Sequence, residues 1–246
     1  MLNFHIHSPF PNRPTLVFLH DSLGCVELWR DFPERLAATS QCNYLVYDRL
    51  GYGKSGPFAH PVRDKHYLEH EAVVLNQLLV EHNIDQALLF GHSDGGSIAL
   101  LTAALFPERI QAIITEGAHV FVEEVTLAGI RAAQVAYNTT DLPQRLVKYH
   151  GPNTDAMVKA WTETWLAPMF RDWDITDFLP QITCPALIIQ GENDEFGTPK
   201  QVETIVAHCS GPTQAWLIPG VQHNPHKEVP EEVIEKGVDF LQQCLS

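Results

Sequence analysis

This 246-residue chain has no long apolar run: nothing approaches about 18 consecutive apolar residues, so no membrane span is predicted. Basic residues are also scarce. Sixteen Lys and Arg stand against 30 Asp and Glu, and the formal charge of −14 repels phosphate backbones and anionic membrane surfaces, which excludes nucleic acid as an expected partner. The leader Met1-Leu2-Asn3-Phe4-His5-Ile6-His7-Ser8 lacks a basic flank followed by an apolar stretch, so no signal or transit peptide is evident and a cytoplasmic location is expected. Cysteine is sparse: Cys25, Cys42, Cys184, Cys209 and Cys244 are scattered, odd in number and never spaced C-x-x-C. A disulfide framework and a zinc site are both disfavoured, and most of the five are expected to be small buried apolar residues.

What is present is an alternation of short Val/Ile/Leu-rich runs with longer helical patterns, which predicts βαβ units on a mostly parallel sheet of the α/β class. The runs span 15–20, 44–48, 87–91, 110–116, 186–191 and 214–219, and several are apolar throughout, as strands covered on both faces must be. Helices are expected over 29–39, 68–83, 96–105, 199–208 and 230–245. From His119 to Gln181 the rhythm fails: no strand pattern occurs, while Tyr137, Tyr149, Trp161, Trp165, Met169 and Trp173 accumulate among four prolines. We expect one domain over residues 1–246, with 119–181 as a helical cap inserted over one end of the sheet. The short segment before Thr15 has room for one leading strand.

The chemistry concentrates at Gly91-His92-Ser93-Asp94-Gly95-Gly96, which follows an apolar strand and opens a helix. This is the G-x-S-x-G nucleophile elbow, in which a sharp turn holds a serine hydroxyl clear of the backbone. Gly91 and Gly95 flank a turn where a Cβ would collide with neighbouring backbone, and Gly96 lets the helix approach the sheet. A serine needs a base and a group that orients the base. Carboxylates follow the strand at 186–191, in Glu192-Asn193-Asp194-Glu195, and histidines follow the last strand, in His223-Asn224-Pro225-His226. Glu116, closing an earlier strand, is a further candidate acid. Both loops lie at strand C-terminal ends, where open α/β sheets place their sites.

Taken together, the elbow, the Gly191-x-x-Asp194 loop, the His223-x-Pro225-x-x-Glu228-x-Pro230 segment and Asp48-x-x-Gly51-x-Gly53-x-Ser55 resemble the α/β-hydrolase fold superfamily over nearly the whole chain. His92-Ser93-Asp94-Gly95-Gly96, Cys184-Pro185-Ala186-Leu187-Ile188 and His223-Asn224-x-His226 resemble its biphenyl-hydrolase-like, valacyclovir-hydrolase-like group. The resemblance implies Ser93 as nucleophile, His223 as general base and then acid, and Asp194 as the orienting carboxylate, ahead of Glu192, Glu195, Glu116 and His226. It implies an oxyanion hole from the Asp94 backbone N–H and an amide of the turn after the first central strand, Ser22 by preference and Leu23 as the alternative. The family usually writes His-Gly at the start of that turn, and this chain has His20-Asp21. His20 is expected to brace the turn and His92 to pack behind the elbow.

The expected reaction is hydrolysis of a small-molecule carboxylic ester or lactone through an acyl-enzyme, without a metal or organic cofactor. Ser93 at the nucleophile position disfavours the aspartate-nucleophile dehalogenases and epoxide hydrolases of the superfamily. Two alternatives stay open: a carbon–carbon bond hydrolase or lyase of the same fold, and a ligand-binding receptor that retains the triad without turnover. Asp94 has two readings, an anchor for a cationic substrate group or an acid at a helix N-terminus, where negative charge is favoured. Trp161 and Trp165 are candidate substrate-binding residues and Trp173 is a further candidate to line the same apolar pocket, although aromatic residues at helical spacing also pack against a sheet. The expected partner is a small-molecule substrate, and the chain is expected to be a monomer or homodimer.

Overall fold

The computed structural model describes residues 1–58 and 63–245. Among them seven strands form one sheet: β1 (Asn3–His7), β2 (Thr15–Leu19), β3 (Asn43–Asp48), β4 (Ala87–His92), β5 (Ile110–Glu116), β6 (Ala186–Gly191) and β7 (Thr213–Ile218). Their spatial order is β1-β3-β2-β4-β5-β6-β7, with β1 antiparallel to β3 and every other pairing parallel. The six predicted strands all form, with ends shifted by at most one residue, and the leader supplies the single strand β1. It lies at the sheet edge, where its Phe4, His5 and His7 are exposed and the histidines blunt the edge.

The helices are α1 (Phe32–Ser40), α2 (Tyr67–Glu81), α3 (Asp94–Leu105), α4 (Glu124–Thr139), α5 (Leu142–His150), α6 (Thr154–Leu166), α7 (Pro199–His208), α8 (Pro225–Glu228) and α9 (Pro230–Leu245). Successive strand side chains point to opposite faces, so the apolar strands feed two cores at once. Phe18, Phe90, Ile114 and Ile189 pack with Trp29, Leu36, Val233 and Phe240 on the side of α1 and α9. Val17, Leu89, Ile113 and Ile188 pack with Leu75, Ile98, Leu101 and Ile205 on the side of α2, α3 and α7. Each fully buried side chain of this size contributes about 1.5–3 kcal/mol. Helix α3 runs through the middle, buried from Asp94 to Ala104, which is why its sequence is apolar all round.

One predicted helix divides. A 3-10 turn covers Val26–Trp29, and α1 starts only at Phe32, because Arg30 adopts φ 54°, ψ −129° and cannot continue a right-handed helix. The interval 119–181 holds α4, α5 and α6 with short 3-10 turns and an isolated bridge between Phe121 and Asp174, joining the end of β5 to β6. Among the described residues no helix is long and apolar enough to cross a membrane.

Candidate active site

Strand β4 ends at His92 and α3 begins at Asp94, so the reversal of direction falls on Ser93 alone. Its backbone is held at φ 56°, ψ −119°, a region that costs a non-glycine residue about 1–3 kcal/mol and survives only where the surroundings enforce it. The Ser93 N–H donates to Glu116 O at 2.8 Å, and Ser93 O accepts from Gly96 N–H at 2.8 Å and Ser97 N–H at 3.1 Å. Neighbouring backbone presses on the turn from both sides. A Cβ on Gly91 would lie 2.2 Å from Gly95 O, and one on Gly95 would lie 2.1 Å from Leu19 O, so both must be glycine.

Ser93 and His223 line one cavity of about 860 Å³, walled on the other side by α4, α5 and α6. His223 stands on the loop after β7. That loop is clamped by Glu228, whose two carboxylate oxygens accept from Gln222 N–H (2.9 Å) and Asn224 N–H (3.2 Å). The His223 carbonyl accepts a hydrogen bond from His92 Nε2 at 2.8 Å, so His92 does more than pack behind the elbow. The His223 Nδ1–H reaches both oxygens of Asp194 at 2.9 Å, leaving Nε2 as the free ring nitrogen. Asp194 Oδ1 also accepts from Phe196 N–H (2.8 Å) and Gly197 N–H (3.3 Å), which pins the carboxylate. Burial opposes charge on both partners, but their mutual attraction outweighs it: the pKa of His223 rises above its ordinary value, and that of Asp194 falls below its own.

The rival acid and histidine pair with each other. Glu116 Oε2 lies 2.6 Å from His226 Nδ1, both fully buried behind the elbow and outside the cavity lining. Glu192 and Glu195 are exposed on the acid loop and also outside the lining.

Two of the three oxyanion-hole candidates are buried, and all three line the cavity: Ser22, Leu23 and Asp94. Their backbone N–H groups donate to no acceptor among the described residues. Gly24 N–H donates to Asp21 O at 3.2 Å and closes the turn. His20 braces it as expected: Nδ1–H donates to Asp21 O at 2.7 Å, and Nε2 accepts from Arg49 N–H at 3.1 Å. Burial first, then Arg49, lowers the His20 pKa well below normal, consistent with this neutral tautomer.

Asp94 has partners that neither sequence reading supplies. Its Oδ2 accepts from Arg49 Nη1 at 3.5 Å and from Tyr67 OH at 3.1 Å, and the Arg49 and Asp94 side chains are 0% and 2% exposed. Trp165 Nε1–H donates in turn to Tyr67 OH at 2.9 Å. Trp161 and Trp165 both line the cavity while remaining buried, so packing and lining are the same fact for these two rings. Trp173 does not line it and stacks on Phe170 instead, with ring centroids 5.3 Å apart.

Gly117 escapes sequence reasoning. It follows β5 with φ 55°, and a Cβ there would come within 2.8 Å of His223 Cε1 and 3.3 Å of Asp194 Oδ2. The only local sign is a glycine just after a strand. Arg49 is equally silent, because the sequence shows only that it follows Asp48. Of the cysteines, Cys25 and Cys42 are buried as expected, whereas Cys184, Cys209 and Cys244 are half-buried; burial raises every one of these thiol pKa values, Cys25 and Cys184 to about 12. Among the described residues no three His, Cys, Asp or Glu side chains converge as a metal-ligand set.

The sheet order, the elbow and the acid–histidine pair at the strand ends define an α/β hydrolase. Residues 14–176 match the α/β hydrolase fold family, and the chain belongs to it. It is similar to the serine hydrolase BPHL of Mus musculus, with 27% identity over 230 residues covering 86% of this chain and 74% of that protein. It is also similar to the serine hydrolase BPHL of Homo sapiens, with 29% identity over 209 residues covering 80% and 69%. In three dimensions it resembles MGS-M2, an α/β hydrolase enzyme from a Medee basin deep-sea metagenome library, with a TM-score of 0.80 at 21% identity, covering 98% of this chain and 94% of the other.

Proposed function

We propose that this hydrolase cleaves a small-molecule carboxylic ester or lactone through an acyl-enzyme on Ser93. The observation that carries the reading is the Asp194–His223 pair: Nδ1 of His223 is engaged by the carboxylate, and His223 lines the same cavity as the strained Ser93. The likeness to proteins named serine hydrolase supports the same nucleophile.

In this reading His223 Nε2 takes the Ser93 hydroxyl proton as Oγ attacks the ester carbonyl, and Asp194 stabilises the imidazolium through Nδ1–H. The tetrahedral oxyanion accepts from the Asp94 N–H and from Ser22 N–H, each such donor being worth about 100–1,000-fold in rate. His223 returns the proton to the departing alkoxide, which leaves as an alcohol. Water then loses a proton to His223 as it attacks the acyl-enzyme, and the proton passes to Ser93 as the carboxylic acid is released.

Burst release of p-nitrophenol from a p-nitrophenyl ester, abolished in Ser93→Ala, is the expected result, with fluorophosphonate labelling confined to Ser93. Turnover of ring-cleavage dienoates with no ester turnover would replace this reading by carbon–carbon bond hydrolysis. Ligand binding with no turnover of either class would replace it by a receptor role.

A further inference from the structure

The chain is strongly acidic, yet four of its 16 Lys and Arg line the cavity: Arg30, Arg145, Lys148 and Lys227. Three acids line it as well, and each is engaged. Asp94 faces Arg49 and Tyr67. Glu228 spends both oxygens on the backbone amides that shape the His223 loop. Asp21 sits 3.9 Å from His92 Nδ1, and against burial Lys227 is foremost among the neighbouring charges that hold its carboxyl below the usual carboxylate range. The cations left over are Arg30, Arg145 and Lys148, all exposed at the cavity mouth. Arg30 and Lys148 make no ion pair among the described residues, and Arg145 meets only its exposed helix neighbour Asp141, at 3.4 Å.

A second observation comes from the backbone. Arg30, at φ 54°, ψ −129°, occupies nearly the same strained region as the elbow Ser93, at φ 56°, ψ −119°. Glycine would hold that turn without the cost of about 1–3 kcal/mol that a side chain incurs there. The guanidinium at the rim of the site therefore stands on a backbone that glycine would hold more easily.

We propose that the cavity mouth is a carboxylate subsite, so that the ester cleaved at Ser93 carries a second, anionic carboxyl group that meets Arg30, Arg145 and Lys148. This deepens, and rests on, the ester-hydrolase reading. It reverses the polarity that a cation-seeking Asp94 would impose, because that carboxylate already has its counter-charge within the protein.

Three p-nitrophenyl esters with matched chains test it: the glutarate monoester (anionic), the valerate ester (neutral) and the 5-aminopentanoate ester (cationic). The wild-type kcat/KM should rank anionic first and cationic last, and the anionic advantage should shrink as salt rises. In Arg30→Gly and Arg30→Gln the loss on the glutarate ester should exceed that on valerate by about 3–5-fold, the scale of one exposed ion pair, and should fall on KM. Arg30→Gly should also melt no lower than wild type, which separates the lost charge from any lost fold. Equal rates on the three esters, a preference for the cationic one, or equal losses in the Arg30 variants would overturn the proposal. Absence of all ester turnover would sink the ester reading alone. The subsite is then decided by glutarate binding to wild type, read from tryptophan fluorescence: binding weakened in an Arg30→Gln, Arg145→Gln, Lys148→Gln triple variant upholds it, and no binding overturns it.

Discussion

Glu116 Oε2 and His226 Nδ1 meet at 2.6 Å in a fully buried pocket behind the nucleophile turn, 110 residues apart in the chain. Burial pushes the Glu116 carboxyl up to about 7 and the His226 imidazole down to about 3, which favours an uncharged acid donating to an uncharged imidazole. Glu116→Gln keeps a hydrogen-bonding group in place and should change stability by less than about 1 kcal/mol. Glu116→Ala leaves His226 Nδ1 buried and unpartnered and should cost about 1–3 kcal/mol, measured by urea denaturation. The same geometry separates the two histidines. His226→Gln should retain activity within about tenfold, whereas His223→Gln should lose roughly 10³-fold or more in kcat.

The sign of the pH dependence follows from His223. In the base role proposed for it, His223 works only when unprotonated, and Asp194, opposing the effect of burial, raises its pKa. Activity should be present above that raised value and fall as pH drops through it, so the acid limb should lie above the ordinary imidazole value of about 6.5. Asp194→Asn removes the raising charge and leaves burial to dominate. The limb should then move to lower pH while kcat falls roughly 10³–10⁴-fold. A pH–rate profile in which the limb stays put would remove Asp194 from this role.

Gly117→Ala probes clearance. The added methyl would sit 2.8 Å from His223 Cε1 on a backbone whose φ of 55° already disfavours a side chain. The imidazole must shift, and displacement by about 1 Å is enough to cost on the order of 100-fold in rate. Expected is a loss of kcat with KM little altered. Fluorophosphonate labelling should slow in parallel.

Asp94→Asn should act mainly on stability. It leaves the fully buried Arg49 guanidinium without its nearest carboxylate, and breaking such a pair from one side costs about 3 kcal/mol or more. Denaturation midpoints would show the change. An unchanged midpoint together with a selective rise in KM for amine-bearing esters would instead return Asp94 to the role of cation anchor.

The division between local and distant information is visible residue by residue. Strands β2 to β6 were legible because covered parallel strands must be apolar on both faces, the half-exposed edge strand β7 by its Trp216-Leu217-Ile218 run, and the elbow because only glycine tolerates backbone at 2.1–2.2 Å. The break before α1 was not legible, since it follows from the positive φ of Arg30, a residue with no turn preference of its own. Trp161 and Trp165 carried an ambiguous signal, because a ring that packs under an inserted helix can also present an edge to the cavity.

Order along the polymer was enough to nominate a serine, a set of acids and a pair of histidines, since each sits at the end of a recognisable strand and needs no knowledge of its neighbours in space. Chain order carries no information on which acid faces which imidazole, or whether Asp94 is a free charge. Folding decided those matters by bringing together groups 29, 110 and 45 residues apart: Asp194 with His223, Glu116 with His226, and Arg49 with Asp94. The physical reason is that electrostatic pairing and steric clearance depend on distances of a few ångströms, which the packing of sheet and helices sets and local sequence pattern does not.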